Sequence, residues 1–164
     1  MTYANATAWN ERPRIVSSAR TSGPEWGPPM QPSPSYSGDQ RWQVKTELWE
    51  LFEDCCSDDW DEYEAKGITS ECLDVGLEFL DKLPAFVTNP EVAADPDGEL
   101  SFEWFKSEDM MLTVSVSSER KISYAGIFGQ AKAHGVDNFG LEIPTTVLRY
   151  LSRYFGNVIP IIQS

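Results

Sequence analysis

The period of the hydrophobic pattern changes at Pro84, and this change constrains the chain more than any other feature it carries. Before it, apolar and amphipathic side chains recur every three or four residues; after it, they alternate. Trp42, Lys45, Leu48, Trp49, Phe52 and Cys56 predict a helix over about 41–56, with Glu47, Glu50, Glu53 and Asp54 beside or opposite the stripe. Thr69 offers an N-cap hydroxyl and Glu71 suits the first turn, so a second helix is expected over about 70–83, burying Leu73, Gly76, Leu77, Leu80 and Leu83 until Pro84 stops it.

Beyond Pro84, Val92 lies in a short expected strand, and Asp95-Pro96-Asp97-Gly98 is a turn signal because proline presets φ and glycine accepts positive φ. Leu100, Phe102 and Trp104 alternate with Glu99, Ser101 and Glu103. Leu112, Val114 and Val116 alternate with Thr113, Ser115 and Ser117, and Ile122, Tyr124 and Phe128 continue after a turn at Ser118-Glu119-Arg120. Short connectors predict an antiparallel meander with one buried face and one wet face of Ser and Thr. Gly129 to Gly140 reads as a crossing segment. Pro144 then opens a last helix with Val147, Leu148, Leu151, Tyr154 and Phe155 on its apolar stripe and Gly156 as C-cap. The expected class is α+β: two N-terminal helices, a small antiparallel sheet of three to four strands, and a C-terminal helix.

Residues 1–40 differ in kind. Six of the eleven prolines fall there among Ser, Gly and Thr, which predicts a flexible, disordered arm, leaving 41–164 as a single α+β domain. The arm's charges cancel, Arg12, Arg14 and Arg20 against Glu11, Glu25 and Asp39, so the net charge of -13 belongs to the domain. That balance repels phosphate backbones, and direct nucleic-acid binding is not expected. No apolar run approaches the ~20 residues that span a bilayer, and the start lacks a signal-peptide core, so a cytoplasmic protein without membrane contact is expected. The apolar tail Val158, Ile159, Ile161 and Ile162 packs back or meets another chain; with open strand edges it makes a homodimer a further expectation.

Catalytic and metal-binding patterns are wanting. Three cysteines, Cys55, Cys56 and Cys72, give neither a disulfide framework nor a zinc spacing, and a single histidine, His134, sits between Ala133 and Gly135. An EF-hand needs glycine at its sixth position, but counting from Asp54 or Asp58 reaches Asp59 or Tyr63. Phosphate-loop, dinucleotide and zincin motifs are absent from the sequence. No cofactor, no metal and no catalytic set are expected; an unrecognised enzyme would centre on His134 or Glu103.

The most unusual stretch runs from Glu47 to Glu64, with nine carboxylates and no basic residue. Close like charges on a helix cost a few tenths of a kcal/mol per pair. Aromatics supply contact area and acids steer association, so Trp49, Glu53, Asp58, Asp59, Trp60, Asp61, Glu62, Tyr63 and Glu64 are the candidate partner-binding residues. The expected function is an acidic protein-binding module of antitoxin, immunity or inhibitor type that masks a basic surface on a partner protein. The alternative is a phage or mobile-element inhibitor whose carboxylates imitate DNA phosphates to occupy a nuclease or defence complex. In the plainer reading, Trp60 and Tyr63 close the core under the loop and the acids are merely solvated.

Trp60-Asp61-x-Tyr63-x-Ala65, Ile68-Thr69, Asp95-x-Asp97-Gly98-x-Leu100-x-Phe102-Glu103-Trp104, Ser115-Val116-Ser117, Ser123-Tyr124-Ala125-Gly126 and His134-Gly135 follow one another in order. Together, over roughly 45–155, the series resembles a group of small uncharacterised bacterial proteins with a W-D-x-Y-x-A signature. The resemblance implies a bacterial origin and a single domain, and it carries no activity or functional residue. This chain departs from the group's commonest form in having Glu62 and Glu64 where glycines are usual.

Overall fold

The structure is a computed structural model that describes residues 41–157 together with the backbone of Ile15–Val16. The expectations placed on the rest of the arm and on the tail from Val158 lie outside the described residues. The elements run β1 (Ile15–Val16), α1 (Trp42–Cys55), α2 (Ser70–Lys82), β2 (Glu91–Ala94), β3 (Leu100–Ser107), β4 (Met110–Val116), β5 (Lys121–Phe128), β6 (Ala131–Asn138) and α3 (Thr145–Phe155). The class is α+β, as the period change predicts.

The strands form one antiparallel sheet in the order β1-β2-β3-β4-β5-β6. Five strands make its body, and the two-residue β1 pairs at its edge through Ile15 with Ala94 and Val16 with Ala93. The expected count of three to four is therefore too low. The missing strand is β6, where Gly129 to Gly140 was expected only to cross. Ala131–Asn138 pairs along its whole length with β5, from Lys121 opposite Asn138 to Phe128 opposite Ala131. It gives no alternating apolar signal because an edge strand exposes most of its side chains.

All three helices lie on one face of the sheet, α1 beside α2 and over β2, α2 over β3 and β4, α3 over β4 and β5. Val92, Leu100, Phe102, Trp104, Leu112, Val114, Val116 and Ile122 meet them from below. Phe79 of α2, fully buried, packs its ring 4.8 Å from that of Phe102. Gly76 leaves room for the β3 side chains: a Cβ there would stand 2.9 Å from Leu100 Cδ1.

Helix α1 is rotated from expectation. It buries Val44, Leu48, Leu51 and Cys55, while Trp42, Trp49 and Cys56 face outward. The aliphatic row at 44, 48, 51 and 55 has the same period as the aromatic one, and period alone cannot say which of two adjacent stripes points in. The first helical residue is Trp42 because Arg41 serves as the N-cap, and its guanidinium donates to the carbonyls of Leu80 (3.0 Å), Leu83 (2.8 Å) and Pro84 (2.8 Å) at the end of α2. That end stops at Lys82, with Leu83 as C-cap. The Thr69 cap is as read, its hydroxyl accepting from Cys72 N–H at 3.2 Å.

The turn at Asp95 to Gly98 forms as expected, with Gly98 at φ +86°. Gly156 caps α3 at φ +68°; Pro144 stands one position earlier than expected, at the N-cap. The Ser and Thr face is not uniformly wet. Ser101, Thr113 and Ser115 are buried. Asp95, reaching over from the turn, accepts from the hydroxyls of Ser101 and Ser115, both at 3.3 Å, while Thr113 donates to Glu103 at 3.3 Å.

Candidate functional site

Residues 57–67 form a closed loop between α1 and α2. Its mouth is tied where Ile68 N–H donates to the Cys55 carbonyl at 2.8 Å, and Lys66 N–H fastens it to Pro96 O of the β2–β3 turn, also at 2.8 Å. The Trp60 indole N–H donates to the Lys66 carbonyl at 3.0 Å, and its ring packs against the core.

Three of the acids inside the loop are its staples. Asp58 accepts from Gly67 N–H at 2.9 Å, Asp59 from Glu64 N–H at 2.9 Å, and Asp61 from both Tyr63 N–H at 2.8 Å and Ala65 N–H at 3.0 Å. Short Asp side chains favour such local acceptor roles, and they satisfy amides that a tight loop cannot pair with backbone. Part of the acidic crowding therefore has a structural reason.

Glu62 and Glu64 are different. Both are exposed, and neither carboxylate is hydrogen-bonded to another described residue. They sit at φ +63° and +65°, with Asp59 at +64°. Left-handed backbone costs an L-residue roughly 1–2 kcal/mol, and glycine is its usual occupant. Tyr63 stands between them, 78% exposed. It does not close the core, whereas Trp60, half-buried over it, does.

Of the remaining candidates, Trp49 and Glu53 project outward from α1, Trp49 at 50% exposure with its ring edge-on to Phe52 at 6.3 Å. The candidate set thus divides into a loop group, residues 58–64, and a helix group. Sequence reasoning missed Trp42, 56% exposed and one heptad before Trp49. Its spacing to Trp49 is the available signal, and the same spacing is also that of a core stripe.

Basic residues are few on this side, Lys45 on α1 and the exposed Lys66 in the loop. Lys45, the sole base on α1, pairs with Asp81 of α2 at 2.5 Å. Burial, then Glu50 and Glu91 nearby, raise the Glu47 carboxyl above its usual range. The last turn of α1 carries no basic residue, and Glu53 and Asp54 lie there against the negative end of the helix dipole.

Glu103 and His134, on which the enzyme expectation centred, are not neighbours. Glu103 opposes Thr113, which opposes Ala125, which opposes His134. Three steps of about 4.8 Å put the two strand positions about 14 Å apart on one sheet face. Cys55 and Cys72 are buried, their thiols pushed up to about 11 and about 12 mainly by desolvation, and Cys56 is exposed. Among the described residues, no cluster of three His, Cys, Asp or Glu side chains is arranged to hold a metal ion, and no helix is long and apolar enough to cross a membrane. Set against known protein families, curated proteins and solved structures, the chain matches none.

Proposed function

We propose that this chain is a non-enzymatic, cytoplasmic acidic docking module, of the kind found in antitoxins, immunity proteins and inhibitors, that masks a basic surface on a partner protein. The observation that carries the reading is the pair Glu62 and Glu64. Each holds a charged side chain at a backbone conformation that glycine would occupy with less strain, and neither gains a hydrogen bond to another described residue. A cationic surface laid on the loop would give those carboxylates the partner that the fold does not. Glu50, Glu53 and Asp54 extend the same sign of charge along α1.

The DNA-mimic alternative draws less support, because the carboxylates of Asp58, Asp59 and Asp61 are occupied with loop amides. The resemblance to small bacterial proteins brings no activity and adds nothing to either reading.

The test is affinity capture from the native host, at low and moderate salt, with the full chain and with Glu62→Gln/Glu64→Gln. A stoichiometric basic protein, retained by the full chain and reduced about tenfold or more by the double variant, is expected. Capture that is indifferent to both carboxylates would overturn the proposal. The variant preserves the backbone and side-chain size, so folding is not at stake.

A further inference from the structure

The outward ridge of α1 specifies the shape of the partner as well as its charge, an inference that rests on the docking reading above. Trp42, Thr46, Trp49 and Glu53 follow one another at spacings of four, three and four residues, which places them in one row along the solvent side. The two tryptophans stand about 10 Å apart along the axis at 1.5 Å per residue. Both keep half or more of their surface exposed, 56% for Trp42 and 50% for Trp49. The Thr46 hydroxyl is turned back to the Trp42 carbonyl at 2.9 Å, which leaves its methyl group to complete the apolar surface between the rings.

Such a row is the seam that a second helix packs against with knobs in holes, the alternating four and three spacing matching its own. The flanks decide the charge. Glu53 ends the ridge, Glu50 and Asp54 border it, α1 has no basic residue in its last turn, and its only lysine is paired with Asp81. Carboxylates at the carbonyl end of a helix are doubly unfavourable, by mutual repulsion and by the dipole, and cations there relieve both. Arginine guanidinium also stacks on tryptophan faces.

Charge also argues against the other occupants. A second copy brings another -13, and the N-terminal arm, whose three arginines are balanced by three acids, brings none. We infer that the Trp42–Trp49 ridge of α1 receives a cationic amphipathic helix of a partner protein, its apolar stripe between the two indoles and its Arg or Lys flanks against Glu50, Glu53 and Asp54.

The probe is a labelled synthetic peptide of about 18 residues, long enough to hold helical structure, with Leu on one face and Arg on the flanks. Its control has the same composition with the period scrambled. Anisotropy with the full chain at about 50 and 200 mM salt reads the affinity. The expected result is binding of the helical peptide at least about tenfold tighter than the control, lost by about tenfold or more in Trp42→Ala/Trp49→Ala. Glu50→Gln/Glu53→Gln/Asp54→Asn should flatten the salt dependence. Both tryptophans are exposed, and an unchanged melting temperature verifies the folded variant.

Equal binding of the two peptides, or binding that survives the tryptophan loss, overturns the ridge. If Glu62→Gln/Glu64→Gln then abolishes that binding, the acidic docking reading stands with its site in the loop. No binding at low salt also overturns the ridge, and the capture experiment judges the broader reading independently. A dimer in sedimentation that Trp42→Ala/Trp49→Ala dissociates would overturn it too, by making a second copy the occupant.

Discussion

At the scale of single residues, the fold depends on side chains whose roles are set by backbone geometry as much as by polarity. Glu62 and Glu64 illustrate the cost. Replacing either with glycine removes a left-handed penalty of about 1–2 kcal/mol but costs about 0.5–1 kcal/mol through the greater entropy of the unfolded chain, so each substitution should stabilise the chain by about 0.5–1 kcal/mol in urea denaturation. A loss of stability in both would mean that the carboxylates support the loop. Arg41 works in the opposite sense. Three short bonds from its guanidinium close the end of α2. Arg41→Ala exposes or orphans those carbonyls and should lower stability by about 2 kcal/mol, measured by thermal unfolding, with Arg41→Lys recovering only part because an ammonium cannot span three acceptors. Neither the role of Arg41 nor that of the loop aspartates is legible in the sequence. An arginine before a helix reads as a surface charge until the chain folds three carbonyls from elsewhere against it, and three aspartates in a loop read as crowding until the amides they accept from are seen.

Among the elements, legibility followed burial. Strands β3 and β4 announce themselves because Leu100, Phe102 and Trp104, and then Leu112, Val114 and Val116, each point to the same covered face. Strand β6 stays silent because Lys132, His134, Val136 and Asn138 are exposed on one face, while Ala133 and Gly135 on the other are too small to register as apolar. Gly135 is small for a reason: the Tyr124 ring occupies the space where a Cβ would stand, 2.3 Å from its hydroxyl oxygen. Helix α1 was recognised but turned by one stripe, since two overlapping apolar rows run along it and the larger, aromatic one was assigned to the core. The rotation has a direct test. Leu48→Ala, at a fully buried position, should cost about 3 kcal/mol in urea denaturation, while Trp49→Ala should cost under about 1 kcal/mol despite removing the larger side chain. The reverse order would put Trp49 inside.

For the molecule as a whole, acidity sets the response to pH. Burial first, and then the neighbouring acids, raise the carboxyls of Glu47 and Glu99 above their ordinary range. A raised carboxyl binds its proton more readily folded than unfolded, so stability should increase as pH falls from neutral through those folded values. Glu78 runs the other way. The hydrogen bonds from Arg120, at 2.8 and 3.1 Å, hold its carboxyl below the usual range, so its contribution is present above the unfolded value and disappears as pH drops further. The melting temperature should therefore peak on the acid side of neutrality and decline below about pH 4.5, and Glu99→Gln should raise it at pH 7 while shrinking the gain on acidification. A maximum at or above neutral pH would contradict the assignment. The order of the strands has a kinetic consequence as well. From β2 to β6 every pairing is between sequence neighbours joined by a few residues, so the sheet can zip hairpin by hairpin with little search. Only the union of Ile15–Val16 with Ala93–Ala94 demands a wide closure, and it is held by two residue pairs. That seam should be the last to form and the first to exchange its amide protons.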